Sequence, residues 1–327
     1  IFLTTLYTNF ISPEDMGTKE NLDTMALFLQ PIFTLALQEY LIRFGLDNSY
    51  DKKQVFSTSA CLTFAGMIAV ILIVPGLRFI SFLDFITGYS LMLAIYTCTS
   101  ALRMLCAQFV RSRDMVKLYA VDGIIATFTL LIFSLIFIAG FKMGVKGALL
   151  SVICSDLLSA VFLYYAASLS SFFGIRHFSI KLAGKMMKFA LPLIPTIVMW
   201  TITSLSDRIF LTYMHSDKVE LGKSATGIYG VSNKIPNLIS MVSTIFFQAW
   251  NMSAINENKS ADRNKFYERV YSAYESMLFI AAAGLIMISK PVTDFIVSDK
   301  NYGGYSIAYI YTPVLIMAAV FTALNQF

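Results

Sequence analysis

The stretch Phe189–Met214, FALPLIPTIVMWTITSLSDRIFLTYM, decides the fold class. It is apolar along nearly its whole length and carries two adjacent charges, Asp207 and Arg208. A helix rises about 1.5 Å per residue, so roughly 20 apolar residues cross the ~30 Å hydrocarbon core of a bilayer. A charge at the centre of such a span costs about 2.5–3.5 kcal/mol on insertion scales. Asp207 and Arg208 therefore imply a partner or a wet cavity inside the membrane. Segments of the same kind recur along the chain. Of its 327 residues, 57% are apolar and only 14% are charged, against about 45–50% and about 25% in soluble domains. The mean hydropathy is +0.68. The composition excludes a soluble enzyme and gives an all-α polytopic membrane protein.

About ten helices are predicted, near 1–11, 24–46, 55–75, 82–108, 117–140, 145–169, 189–214, 225–250, 268–289 and 305–325. The segments 11–23 and 290–304 read as short outer loops. The chain begins inside one apolar segment, at Ile1, and stops at another, at Phe327. It reads as a fragment with a truncated first helix and an incomplete C-terminal bundle. Thirteen Lys and Arg lie in one set of alternate loops and eight in the other. The richer set, which includes Lys52, Arg111 and Lys185, faces the cytoplasm by the positive-inside rule. Those loops account for the net charge of +5 without a nucleic-acid partner.

The most basic connection, 170–188, divides an N-terminal bundle (1–169) from a C-terminal one (189–327). In FSIKLAGKMMKFA, Lys181, Lys185 and Lys188 recur at helical spacing, with Ile180, Leu182, Ala183, Met186 and Met187 between them. This fits either an amphipathic helix on the cytoplasmic leaflet or a simple positive anchor. A faint repeat accompanies the division. Gly17 precedes Pro31 as Gly222 precedes Pro236, with Tyr7 and Tyr213 upstream, and duplicated lobes are a common transporter plan. Cys61, Cys98, Cys106 and Cys154 lie in apolar spans without a CxxC pair and read as packing residues. With only His177 and His215 beside them, no metal or cofactor is expected. The sequons at Asn251 and Asn258 face the cytoplasm in this topology and are not glycosylation sites.

The chemistry-bearing residues are the charges inside the spans. The cations are Arg43, Arg103, Arg208 and Lys234, and the acids are Glu39, Asp122, Asp156 and Asp207. Glu39 and Arg43 are four apart and share a helix face, so they can pair. Asp207 and Arg208 lie ~9 Å below the outer end of their helix and Lys234 ~13 Å into the next, which brings Asp207 within reach of Lys234. Arg43, Arg208, Lys234, Glu39 and Asp207 are the candidates to line a substrate cavity suited to an anion. Arg103, Asp122 and Asp156 rank behind them, as salt bridges between helices or side chains snorkelling to the interface. Pro31, Pro192, Pro195, Pro236 and Pro313 lie in or at the start of spans and are expected to kink them. Tyr302, Tyr305, Tyr309 and Tyr311 fit an interfacial aromatic belt.

Phe189–Leu211 followed by GIYGVSNKIPNLISMVSTIFFQAW, Gly227–Trp250, resembles the polysaccharide transporter family, the Wzx-type flippases of O-antigen, capsule and exopolysaccharide repeat units. The motifs that carry the resemblance are Leu191-Pro192 with Pro195, Ser206-Asp207-Arg208, Gly227-Ile228-Tyr229, Lys234-Ile235-Pro236 and Gln248-Ala249-Trp250. The early element Ser12-Pro13-Glu14-Asp15-Met16-Gly17 is similar as well. Each motif alone is weak; together, in order and at suitable spacing, they are specific.

The resemblance implies a two-lobed helical bundle like that of multidrug-and-toxin-extrusion exporters, rocking between inward-open and outward-open states. It implies a substrate of undecaprenyl diphosphate bearing an oligosaccharide, carried across the bacterial cytoplasmic membrane. A proton or sodium gradient and the polysaccharide polymerase machinery are the further partners it brings. The competing readings are a cation-coupled multidrug exporter, a lipid II flippase and, less favoured, a membrane glycan polymerase. A polymerase would want a large outer loop that the sequence lacks.

Overall fold

The computed structural model describes residues 2–79, 85–214, 221–257, 263–297 and 304–327. His215, Lys218, Asn258–Ser260, Lys300 and Tyr302 lie outside the described residues, as do the side chains of Gln38, 77–79, 204–205, 248–249 and 251–257. Among the described residues every regular element is helical. The first helices are α1 (Phe2–Phe10), α2 (Pro13–Phe33), α3 (Leu37–Leu46) and α4 (Lys52–Ile73). Then come α5 (Ser90–Ser112), α6 (Val116–Ser134), α7 (Gly144–Ala166), α8 (Ile180–Ala190) and α9 (Leu193–Tyr213). The last are α10 (Lys223–Ser232), α11 (Pro236–Glu257), α12 (Arg263–Met287), α13 (Ser289–Ile296) and α14 (Ala308–Asn325).

Among the described residues six helical runs are long and apolar enough to cross a membrane: Lys52–Gly76, Ser90–Ser112, Val116–Gly140, Gly144–Ala166, Arg263–Met287 and Ala308–Asn325. The pair α8 and α9, bent by 46° at its junction, makes a seventh if it is one span. The side-chain pattern agrees with lipid surroundings. On α6 the buried residues are Asp122, Ala126 and Ser134, while Ile124, Phe128 and Ile132, on one stripe at four-residue spacing, are exposed. On α4 Ser57, Thr58, Ser59, Ala60 and Thr63 are buried, and Phe64, Ile68, Ile71 and Leu72 are exposed. Along these stretches small and polar residues pack inward and large apolar ones point out, as helices do in lipid, while Val55, Phe56 and Val70 of α4 are buried as well.

Two of the ten expected spans are broken, and each break has a local cause. The span at 24–46 starts earlier, at Pro13, so the expected outer loop at 11–23 is mostly helix. The Ser12 hydroxyl accepts from the Asp15 N–H at 3.2 Å, Pro13 holds the first helical position, and Glu14 and Asp15 face the positive end of the dipole. The helix ends soon after Pro31. Leu35 and Ala36 follow in the left-handed region, both at φ 52°, which costs about 1–2 kcal/mol for each side chain with a Cβ. α3 then restarts. The second break interrupts 225–250 at residues 233–235, where Pro236 begins α11. Among the described residues Pro31 and Pro313 lie inside helices beyond the first turn. Pro195 and Pro236 lie at helix starts, and Pro192 lies in the junction where α8 and α9 bend by 46°.

By its contacts the chain forms two units, Ile1–Gly17 with Lys223–Phe327, and Thr18–Gly222. This partition differs from a division at 170–188. In the Thr18–Gly222 unit, α5 is flanked by α3, α4 and α7. Leu37, Tyr40 and Leu41 of α3, Phe56 of α4, Phe109 of α5 and Leu163 of α7 share one core. The amphipathic α8 also belongs to it. Its buried face, Leu182, Ala183, Met186 and Ala190, is taken up by protein, and Leu182, Met186 and Ala190 join the same core. The linker before α8 is pinned to α4: the Ser57 hydroxyl donates to the Phe172 carbonyl at 2.9 Å, and Thr58 accepts from the Ser179 N–H at 3.2 Å.

In the other unit, Ile235, Ile239, Tyr274, Leu278, Ile316 and Val320 form the core, with Ser243 and Tyr274 hydrogen-bonded at 2.7 Å. The starts of α2 and α10 touch through glycines. A Cβ on Gly17 would lie 1.8 Å from the Lys223 carbonyl oxygen, and one on Gly227 would lie 2.1 Å from that of Pro13. Gly222, by contrast, has open space around it and a φ of +112°. The two glycines of the apparent repeat therefore do different work, one a close helix crossing and the other a left-handed entry into α10.

Candidate functional site

The Thr18–Gly222 unit holds two charged clusters. The first joins α2 to α9. The Arg208 guanidinium lies 3.2 Å from the Glu20 carboxylate and also donates to the Thr24 hydroxyl. Lys19 lies 3.6 Å from Glu20 and 2.7 Å from Asp23. The Asn21 amide donates to the Thr212 hydroxyl at 3.0 Å. Glu20, only 4% exposed, thus sits between two cations. The charges alternate along Asp23, Lys19, Glu20 and Arg208. Arg208 faces a cleft of about 430 Å³, which Gln30, Pro31, Glu39, Trp200 and Thr201 also line. The backbone break after α2 brings part of this wall into place, since Thr34, Ala36 and Leu37 line the cleft too.

The second cluster joins α5, α6 and α7. Arg103 lies 3.1 Å from Asp156 and 3.6 Å from Asp122. The Ser100 hydroxyl donates to Asp156 and the Ser159 hydroxyl to Asp122. Asp122 and Asp156 are 2% and 5% exposed. The adjoining cleft of about 470 Å³ is lined by Gln30, Met104, Gln108 and Tyr119 as well. Gln30 and Met104 line both clefts, so the two cavities are neighbours. Arg103, Asp122 and Asp156 form one site on three spans, and they bridge the helices.

The other candidates separate. Arg43 does not pair with Glu39; its guanidinium stacks 4.4 Å over the Phe189 ring. Glu39 is exposed and lines the Arg208 cleft. Arg208 meets Glu20 across the helix pair, while Asp207 is exposed. Adjacent residues on a helix point about 100° apart, so Asp207 and Arg208 face different surroundings. Lys234 belongs to the other unit, half-buried in the turn between α10 and α11, not within a continuous helix.

Residues 2–251 match the family described as polysaccharide biosynthesis protein. The chain belongs to that family. Its members are Wzx-type polysaccharide transporters, and the match covers α1 through most of α11, including Glu20, Arg103, Arg208 and Lys234. With six long apolar helices among the described residues, the protein is a multi-pass membrane protein of polysaccharide biosynthesis. No curated protein and no solved structure matches it.

Lys19, Glu20 and Asp23 are residues that sequence reasoning missed, because 11–23 reads as an outer loop; Thr24, at the start of the expected span, carries no charge to single it out. The signal was present. Ser12-Pro13-Glu14-Asp15 carries a cap, a proline at the first helical position and acids in the first turn. A helix begun there places Glu20 and Thr24, four apart, on one face.

Proposed function

We propose that the protein is a flippase for undecaprenyl-diphosphate-linked oligosaccharide repeat units, carrying them from the cytoplasmic to the outer leaflet by alternating access. The observation that supports this most is Arg208, held by Glu20 at 3.2 Å and lining a cleft of about 430 Å³ in a chain of apolar helices. A guanidinium there is a ready partner for a diphosphate, which it meets with a planar fork of donors. Glu20 and the Thr24 hydroxyl each take one nitrogen of that fork. The incoming diphosphate exchanges with Glu20, and Lys19, also beside Glu20, keeps the released carboxylate compensated. Glu39, which lines the same cleft, and Asp207 are further candidates to meet the glycan, and Lys234 is a separate candidate for its phosphates. The site is set in the bacterial cytoplasmic membrane, with a proton or sodium gradient as the driving force.

The experiment is polysaccharide export by cells carrying the full-length protein with Arg208→Ala or Lys234→Ala. Export is expected to stop in both while the protein stays in the membrane. Removing Arg208 unpairs Glu20 from one cation, so Arg208→Ala/Glu20→Gln is made beside the single variant. Wild-type export in the double variant and in Lys234→Ala would count against the reading. Export lost for a drug-like cation but kept for the glycan would point to the multidrug exporter instead.

A further inference from the structure

A third cleft, of about 320 Å³, shares no lining residue with the other two. Its walls carry three cations, Arg43 from the end of α3 and Lys185 and Lys188 from α8, with Tyr50, Phe189 and Asp47. Lys185 and Lys188 are three apart, on one face of α8. Among the described residues none of the three cations has an ion pair. Arg43 stacks on Phe189 at 4.4 Å. Lys185 lies 5.2 Å from the Tyr50 ring and 3.5 Å from its hydroxyl. Asp47 is engaged elsewhere: its carboxylate accepts from the Ser49 N–H at 2.8 Å. Those hydrogen bonds from Ser49, and then the charges of Lys52 and Arg43, hold it below the usual carboxylate range. Lys52 in turn donates to the Gly45 and Asp47 carbonyls at 2.6 and 3.1 Å. The cleft therefore concentrates three positive charges against one negative.

Its position in the fold narrows the ligand. The apolar run of α4 begins at Lys52, directly after the loop that holds Asp47 and Tyr50. The cleft thus lies where a span emerges from the hydrocarbon, at the level of lipid headgroups. Lysines that only obey the positive-inside rule need not converge. Here two helices, α3 and α8, pack on one another and aim their cations into one concavity. We propose that this cleft binds the phosphate of a membrane lipid at headgroup level. The Arg43 guanidinium is its forked donor, and Lys185 and Lys188 are its point charges. The inference does not rest on flippase activity.

Two lipids carry that chemistry, an anionic phospholipid of the bulk bilayer and a polyprenyl diphosphate, and the test separates them. The full-length protein in phosphatidylcholine nanodiscs is titrated with phosphatidylglycerol in one arm and with a short-chain polyprenyl diphosphate in the other. Lys185→Gln/Lys188→Gln is expected to weaken binding roughly thirty-fold, the loss of two lysines' attraction at an anionic surface. Lys185→Arg/Lys188→Arg keeps it, with unchanged melting in both variants. Loss in the phosphatidylglycerol arm marks a lipid anchor, and loss in the diphosphate arm marks an entry site for lipid-linked cargo; both support the phosphate site. No saturable binding of either lipid by the wild type, or unchanged affinity for both in the glutamine variant, overturns it.

Discussion

Arg103 and Arg208 each bring one guanidinium into the same unit, and each meets a deeply buried acid, yet the two clusters are wired in opposite ways. Arg103 serves two acids, Asp122 and Asp156, each also held by a serine. Glu20 is instead one acid shared by two cations, Arg208 and Lys19. The first cluster has no spare cation and ties together three continuous spans. The second has a reserve partner, and the cleft that Arg208 lines extends to the turn after α2. A staple and an exchangeable contact can thus be built from the same residue types. What distinguishes them is whether a partner remains when one is taken away.

The largest effect is expected at the staple. Arg103→Met leaves Asp122 and Asp156 without their cation and destabilises the protein by about 3 kcal/mol, the lower end for breaking a buried pair. The guanidinium itself keeps some solvent contact. Thermal melting in detergent reads this, and Asp122→Asn/Asp156→Asn in the same chain recovers much of it. If Arg103→Met melts like the wild type, the distinction between the clusters is lost.

Arg208→Ala comes next. It costs about 2 kcal/mol, within the range for hydrogen bonds to charged groups, since Lys19 still faces Glu20. Its loss of transport is far larger than its loss of stability. Glu20→Gln sharpens the point. With the competing carboxylate gone, the diphosphate-linked substrate binds a few-fold more tightly and melting changes little; weaker binding would contradict exchange at Arg208. The smallest effect belongs to Lys19→Gln. Lys19 is buried, but Asp23 is partly exposed and Arg208 remains beside Glu20, so about 1.5 kcal/mol is lost, the lower end for hydrogen bonds to charged groups, read as a melting shift.

Much of the fold is legible in sequence because the bilayer leaves few options. Apolar runs such as 117–140 and 145–169 return as α6 with its π-helical turn and α7, within a few residues. The charges inside spans were visible one by one, but not their partners. Helix periodicity predicts neighbours along one helix, as for Glu39 and Arg43. It says nothing of which helices pack together, and packing set Arg103 against Asp122 and Asp156 and sent Arg43 to Phe189. The polar start of α2 was hidden for another reason. Glu14, Asp15, Lys19, Glu20 and Asp23 lower the hydropathy of a helix whose Lys19, Glu20, Asn21 and Thr24 are nonetheless buried. Hydropathy equates polar with exposed, and that equation fails where charges pair inside a bundle.

The central claim is that Arg208, and not Arg103, meets the cargo. The most direct measurement is leaflet translocation of a lipid-linked oligosaccharide by the full-length protein in proteoliposomes. Arg208→Ala is compared with the neutralised staple, Arg103→Met/Asp122→Asn/Asp156→Asn, at matched protein levels. The account predicts that the staple variant still flips the lipid while Arg208→Ala does not. Wild-type flipping by Arg208→Ala would contradict it.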